Sequence, residues 1–508
     1  MQLRKPVPNG SLSLYADVAP ISSPIGADRQ GAKRHYGVHP YFTRRPFNVV
    51  RRYVLHYSKE QDVVLDPFGG SGVTAVEAFL ENRTGIQNDI NPLANFIARS
   101  IAGLEKGKVS EYREALDFVR ERCEQLLQKV QASDERHLTR LQRTIKLPPD
   151  IPLPSNSDVA SYHQLFSPRQ LTSLAILKNA IDEIPPKSAR SGMLLGWSAS
   201  LAKLNKTFLS TEGRAESRGG SSIELPPWET FEERALNVIA AKAEIDKHVE
   251  IKRKTGGWFG RFECRSHDVQ QLSEEMSNRV DYIFTDPPYG GHISYLDLST
   301  LWNCWLGTMP SSQVRQSELI VGGELDLPES AYVTRLGESI RACLRMLKQN
   351  RWLSVVFQHW NVAYFEAILV SAADAGAELK AAVSQIGDPI WSMHKKKSNE
   401  SVLAGELILT FLKTGKKTCV DRLNGFDVAN AVQEVLCNAD TDKIYGEYLF
   451  NRIVIAAWQH GAIGSLNISK TEFIDLIQRN GWQYDEKNHV WMRHRQPTTL
   501  FHVRSVAE

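Results

Sequence analysis

Cysteine is scarce: six occur in 508 residues (Cys123, Cys264, Cys304, Cys343, Cys419, Cys437), and no two form a CxxC pair. That excludes a zinc ribbon or a disulfide framework and suits a reducing compartment. Long apolar runs are missing too. Crossing a bilayer takes about 20 residues, and stretches such as 352–357 and 407–412 fall far short. Residues 1–30 are rich in Pro, Ser and Gly instead of apolar, so no secretory signal core is expected and the protein reads as cytoplasmic. Neither a GxGxxG turn nor a GxxxxGK[ST] loop is present, which argues against a ligand gripped by its phosphates. A dominant charge sign is lacking: the net charge of +3 does not by itself point to a polyanion.

What is present describes an ordinary globular chain, 42% hydrophobic and 23% charged. Its length exceeds one core, so two or three domains are expected. Basic residues bunch at 44–45, 136–146, 252–261 and 395–397. Any one bunch reads as solvated charge; together they would permit a surface that follows phosphates.

The periodicity changes along the chain. Val63, Val64 and Leu65 form a short apolar run ending at Asp66, followed by Pro67-Phe68-Gly69-Gly70-Ser71-Gly72. Residues 74–80 then read as a helix and 84–87 as a second strand ending near Asp89. Strand, glycine turn, helix, strand and acid make a βαβ unit of a doubly wound sheet. The same grammar resumes with strands at 280–285 and 352–357, a helix at 340–347 before the second of them, a helix at 363–375, and a strand pair at 381–386 and 407–412. Between these blocks the pattern is helical. Residues 109–130 carry Tyr112, Leu116, Val119, Cys123, Leu126 and Val130 on one stripe started by Ser110, and 170–181 and 231–249 also read as helices. Residues 212–222 read as a loop. Past residue 417, Ser469-x-x-Glu472 is a capping box, Gly481 a helix stop, and 483–484 with 490–491 a hairpin. A helix before a hairpin suggests a winged helix.

The sharpest chemical signal is Asp286-Pro287-Pro288-Tyr289 directly after an apolar strand. An aromatic amine is a poor nucleophile because its lone pair is delocalised into the ring. A carboxylate and a carbonyl that accept its two hydrogens can hold it while the nitrogen pyramidalises and aims that lone pair at an electrophilic methyl. Asp286 would supply the carboxylate and Pro287 the carbonyl. Pro287 and Pro288 stiffen the turn, and Tyr289 offers a face for an extruded base. The competing reading is a strand-to-loop turn, for which Asp-Pro and Pro-Pro are common. Asp66, Phe68, Gly70 and Gly72 form the second signal, since glycines let a backbone approach a bound nucleoside closely. Asp89 is placed for two ribose hydroxyls, with a helix cap as its alternative. Tyr295 and Trp302 read as core, and a lone His359 as structural.

These residues resemble the amino-methyltransferase family of DNA-modifying enzymes. The resemblance rests on the 66–72 turn, Asp89 and the 286–289 tetrapeptide, with His39-Pro40-Tyr41-Phe42 similar to a further cofactor motif. Asp268 is similar to the acid that contacts the cofactor's adenine, a helix cap being its other reading. The resemblance covers residues 39–95 and 262–412. It implies a class I, Rossmann-like α/β fold with a mostly parallel seven-stranded sheet, S-adenosylmethionine as methyl donor, no metal, and double-stranded DNA with one base flipped as partner. Adenine N6 is favoured over cytosine N4 because the tetrapeptide starts with Asp. Two other readings stay open: an RNA guanine-N2 methyltransferase, and a non-catalytic DNA-binding subunit on the same scaffold. Any restriction or defence activity would reside in a separate subunit. The chain departs from the family at Val73-Thr74, where two threonines are common, and in the place of its insertion. The expected division is a flexible arm at 1–30, a catalytic domain at 31–102 and 262–417, a helical insertion at 103–261 as candidate target recognition, and a small C-terminal α+β domain at 418–508.

Overall fold

The structure, a computed structural model, describes residues 13–28, 34–153, 157, 159–185, 187–206, 224–291, 293–323, 325–385, 406–417, 426–439, 442–444, 446–466, 468–485 and 490–493. The loop expected at 212–222 and the basic bunch at 395–397 lie outside the described residues.

Seven strands form one sheet: β1 (Val63–Asp66), β2 (Thr84–Asn88), β3 (Arg261–Arg265), β4 (Val280–Thr285), β5 (Leu347–Phe357), β6 (Ala377–Gln385) and β7 (Glu406–Lys413). Their order is β3-β2-β1-β4-β5-β7-β6. β7 runs antiparallel to both β5 and β6, and the other pairs are parallel. From β1 the chain winds outward through β2 and β3, then returns to lay β4 on the other side of β1. The crevice beyond the carboxyl ends of β1 and β4 is therefore the switch point where such sheets bind ligands. All six residues of β4 are buried, which fits its mostly apolar sequence, and the one acid in it, Asp281, is paired with Lys348 and Arg351; helices cover both faces of a parallel sheet.

Side chains alternate between two cores. Val64, Tyr282, Phe284, Trp352 and Ile408 face one, with the helices of the insertion. Leu65, Ile283, Leu353, Leu407 and Leu409 face the other, with the C-terminal helices. Helix α1 (Phe47–Tyr57) precedes β1, and α2 (Val73–Leu80) follows the glycine turn. α2 lies so close to β2 that a Cβ on Gly85 would come within 2.0 Å of the Ala75 carbonyl oxygen. α3 (Pro92–Gly103) leads into the insertion, whose long helices are α4 (Val109–Ala132), α5 (Pro168–Glu183), α6 (Ser188–Ser200) and α7 (Pro227–Thr255).

Three local expectations need correction. Lys108, not Ser110, holds the N-cap position of α4, and Leu127 instead of Leu126 continues its buried stripe; Leu126 is 37% exposed. Leu126 and Leu127 follow the buried Cys123 by three and four residues, both at helical spacing, so apolar identity alone could not tell them apart. The arm expected to be flexible is fastened over its described part. The Trp352 indole N–H donates to the Tyr15 carbonyl at 2.7 Å, the Arg351 guanidinium lies over the Tyr15 ring, and Ile21 N–H donates to the Tyr57 hydroxyl at 2.8 Å. Trp352 lies 337 residues from Tyr15 and Tyr57 lies 36 from Ile21, both beyond any local signal.

At the C-terminal end, Ser469 and Glu472 form the capping box of the helix Lys470–Arg479, which leads into the hairpin Trp482–Asp485 and Val490–Arg493. A two-residue strand, Lys443–Ile444, extends it to three strands. Among the described residues no helix is long and apolar enough to cross a membrane, and no cluster of side chains is arranged to hold a metal ion.

Candidate active site

The glycine turn is stitched to the end of β2. Gly69 N–H donates to Asn88 O at 2.9 Å, Gln87 Nε2 to Gly70 O at 3.0 Å, and Asn88 Nδ2 to Pro67 O at 3.0 Å. Gly70 has φ +49°, and Gly72, at the N-terminus of α2, has φ +90°. A side chain at Gly72 would meet Ala98 Cβ at 2.5 Å, and one at Gly69 would meet the Gln87 amide. The glycines thus serve packing as much as access, because helix and strand must close against the turn.

Asp66 sits at the bottom of this turn. Its carboxylate accepts hydrogen bonds from Thr74 and Thr285 hydroxyls, both at 2.8 Å, and from Phe68 N–H at 3.2 Å. Burial nevertheless pushes its pKa up to about 7, ahead of the opposing hydrogen bonds. Thr74, the one threonine retained after the turn, thereby has a defined task. Asp89 accepts from Gly70 N–H and Asn91 N–H, each at 2.8 Å, and burial raises it to about 6. The helix cap is made by Asn91, not by Asp89. Asp268 does cap a helix, Val269–Glu275, by accepting from Gln270 N–H at 2.8 Å, and it also lines the cavity described next. The cap reading therefore holds, and capping leaves the residue at the cavity wall.

A cavity of about 390 Å³ opens at the carboxyl ends of β1, β2 and β4. Asp66, Phe68, Gly70, Asp89, Asp268, Asp286 and Pro288 all line it, whereas Gly72, Pro287 and Tyr289 do not. Pro287 is buried, and Tyr289 packs edge-on against Phe357 with ring centroids 5.1 Å apart. The Pro288 carbonyl accepts from the Tyr332 hydroxyl at 2.6 Å, fixing the turn. The glycine turn and the tetrapeptide, separated by more than two hundred residues in the chain, therefore share one pocket. Their distance in sequence is cancelled by β1 and β4 being neighbours.

Several residues here had no assignment from sequence. Arg45 grips Asp286 with two N–H groups, Nε to Oδ2 at 2.5 Å and Nη2 to Oδ1 at 3.0 Å, and also contacts the Tyr289 hydroxyl and Glu406. Arg44 braces the preceding segment by donating to Ser71 Oγ at 3.0 Å and to the His39 carbonyl at 2.9 Å. Tyr295, expected to be core, lines the cavity, with its hydroxyl 3.0 Å from Thr43 Oγ1. Glu318, from the long connection between β4 and β5, also lines it, its pKa raised to about 7 by burial. The doublet at 44–45 was visible as a basic bunch; Glu318 carried no sequence signal. His39 is buried and held neutral, burial lowering its pKa to about 3, and its Nε2 lies 3.0 Å from Ser198 Oγ of α6. Trp302 is buried as expected, and its indole N–H donates to Ser198 O at 3.0 Å. The insertion thus braces the segment that flanks the cavity.

The sheet order and the crevice at its switch point define a Rossmann-like methyltransferase fold. Residues 24–99 match the family model described as DNA methylase, so this segment is similar to the N6/N4 amino-methyltransferases of DNA. The matched segment contains the His39–Phe42 motif, the glycine turn and Asp89, and ends before Asp286. No curated protein matches the chain. The family match supports a DNA amino-methyltransferase, and this family generally uses S-adenosylmethionine.

Proposed function

We propose that the protein methylates the exocyclic amine of a base flipped out of double-stranded DNA, adenine N6 in preference to cytosine N4, with S-adenosylmethionine as donor. The observation that carries this reading is that the glycine turn and Asp286 open onto one cavity. A volume of about 390 Å³ suits a nucleoside-sized ligand. Asp89 and the Gly70 backbone would hold its ribose side, Asp268 its adenine, and Asp66 and Phe68 the floor. The sulfonium of the donor supplies the electrophilic methyl. The protein's own part is orientation: Asp286 accepts one amine hydrogen, the Pro287 carbonyl the other, and Tyr289 stacks on the base. Incubating the enzyme with labelled donor, genomic DNA and total RNA, then resolving the nucleosides by mass spectrometry, should give N6-methyladenine from DNA. Label confined to N4-methylcytosine would move the target base, and label in RNA alone would discard the DNA reading.

The insertion at 103–261 is the surface we assign to DNA. Two of its basic bunches differ in what they face. Lys252 pairs with Glu81, Arg253 with Glu105 and Lys254 with Glu250, so that bunch is neutralised by the protein itself. Arg136, Arg140, Arg143 and Lys146 are exposed and make no ion pair among the described residues. Arg136, Arg140 and Arg143 fall at helical spacing on one short helix and its end, a ridge suited to phosphates. Reversing those three arginines to Glu should weaken DNA binding and reduce the steepness of its salt dependence by about one log–log unit per lost contact. An unchanged salt slope would remove this ridge from the interface. As an amino-methyltransferase of a restriction or defence system the enzyme would act beside a separate subunit in the cytoplasm.

A further inference from the structure

Among the described residues Arg45 is the one charged side chain that hydrogen-bonds to the tetrapeptide from outside it, and the methyl-transfer reading gives it no role. It stands just before α1, 241 residues from Asp286. Its guanidinium makes a fork on the carboxylate, one N–H to each oxygen, while its remaining arm meets Glu406 at the start of β7. Both side chains are largely withdrawn from water: Arg45 is 14% and Asp286 21% exposed. A two-point fork fixes the plane of a carboxylate as a single contact cannot.

A carboxylate offers about four lone-pair sites. Arg45 takes one on each oxygen, and the Tyr289 hydroxyl takes a second on Oδ1. That leaves one acceptor position, on Oδ2, for an incoming amine hydrogen. We propose that Arg45 is a positioning residue for methyl transfer, its fork holding Asp286 as a charged acceptor in one orientation while Glu406 holds the fork. This rests on the reading of Asp286 as the acceptor of the base's amine.

The electrostatics agree with the geometry. Burial raises the Asp286 pKa above the usual carboxylate range, and Arg45 is the strongest influence opposing it, through both charge and hydrogen bonds. The other groups facing Asp286 are Glu406, which raises it further, and Tyr289, which lowers it by a hydrogen bond. Asp66 and Tyr295 also interact with it electrostatically. Without Arg45 two half-buried carboxylates, Asp286 and Glu406, would lie near each other with their shared cation gone, and Asp286 would take up a proton at a higher pH. A protonated Asp286 has lost acceptor capacity, so activity should rise with pH as the residue ionises, and later in the variant than in the wild type.

The test measures methyl transfer to DNA against pH for wild type, Arg45→Ala, Arg45→Lys, Asp286→Asn and the double variant Arg45→Ala/Asp286→Asn, with donor binding by calorimetry as the check on folding. Losing a charge-assisted hydrogen-bond pair costs about 10–100-fold in rate. Arg45→Ala should show that loss in kcat at neutral pH and partial recovery toward alkaline pH, because its acid limb is displaced upward. Arg45→Lys, which keeps the charge without the fork, should fall between. Adding Arg45→Ala to Asp286→Asn should cost little more, since the two act as one unit. An acid limb that stays put, or a loss confined to KM for DNA, would overturn the proposal and make Arg45 a structural or phosphate-contacting residue. Wild-type transfer by Asp286→Asn and by Asp286→Ala would instead remove the acceptor reading on which it stands.

Discussion

Asp286→Ala is expected to lower kcat for methyl transfer by about 100- to 1,000-fold, the usual effect of deleting one preorganised hydrogen-bonding group at a reacting centre. S-adenosylmethionine should still bind with near-wild-type affinity, because Asp286 is held by Arg45 and Tyr289 and takes no part in stitching the glycine turn. Asp89→Ala should do the opposite. That carboxylate holds Gly70 N–H and Asn91 N–H, so its removal should weaken donor binding by about 10- to 100-fold, the range for a lost hydrogen bond to a charged group. The two variants therefore separate the two halves of the cavity. Calorimetry with the donor and single-turnover transfer to DNA read them independently. An Asp286→Ala enzyme that transfers methyl groups at the wild-type rate would leave the tetrapeptide without a catalytic role.

The second large effect concerns stability. Gly85→Val should destabilise the fold by about 3 kcal/mol or more, at or beyond the upper end of overpacking costs. Even a Cβ at this position would lie 2.0 Å from the Ala75 carbonyl oxygen and 2.8 Å from its carbon. Those are backbone atoms, so relief requires moving α2 away from the sheet. Since α2 starts at the glycine turn, such a movement would also distort Gly70 and Asp89, and donor binding should fail together with stability. Gly256→Ala is the control, because nothing lies within 4 Å of the atom it adds. Urea unfolding of the three proteins checks this, and a wild-type midpoint for Gly85→Val would contradict the packing described here.

How far the sequence could be read follows from the range of each interaction. The strand at Val280–Thr285 was legible because burial on both faces leaves it rich in apolar residues, Tyr282-Ile283-Phe284 above all, and the capping box at Ser469 because its partners are three residues apart. The glycine turn was legible for the same reason. Arg45 and Asp286 were not paired in advance, since a doublet of arginines reads as solvated until the sheet brings a carboxylate to it. The bunch at 252–254 shows the reverse: it suggested a phosphate-binding surface, yet acids at 81, 105 and 250 neutralise it. Glu318 and Tyr295 come from the long connection after β4, Tyr295 on a four-residue helix too short for a period to tell an inward side chain from an outward one. Asp268 shows that a helix cap does not remove a side chain from a pocket, for it caps a helix and lines the cavity together.

The pairing of Val64 with Tyr282 has a consequence for how the chain is made. During synthesis β1 leaves the ribosome more than two hundred residues before the strand that will lie beside it. At roughly 5–20 residues per second that interval lasts on the order of 10–40 seconds. Throughout it, one flank of β1 has an open hydrogen-bonding edge and the apolar side chains on either side lack their final cover. A nascent chain stalled in the insertion should therefore be a favoured client for chaperones that bind exposed strands, and release from them should await translation of β4.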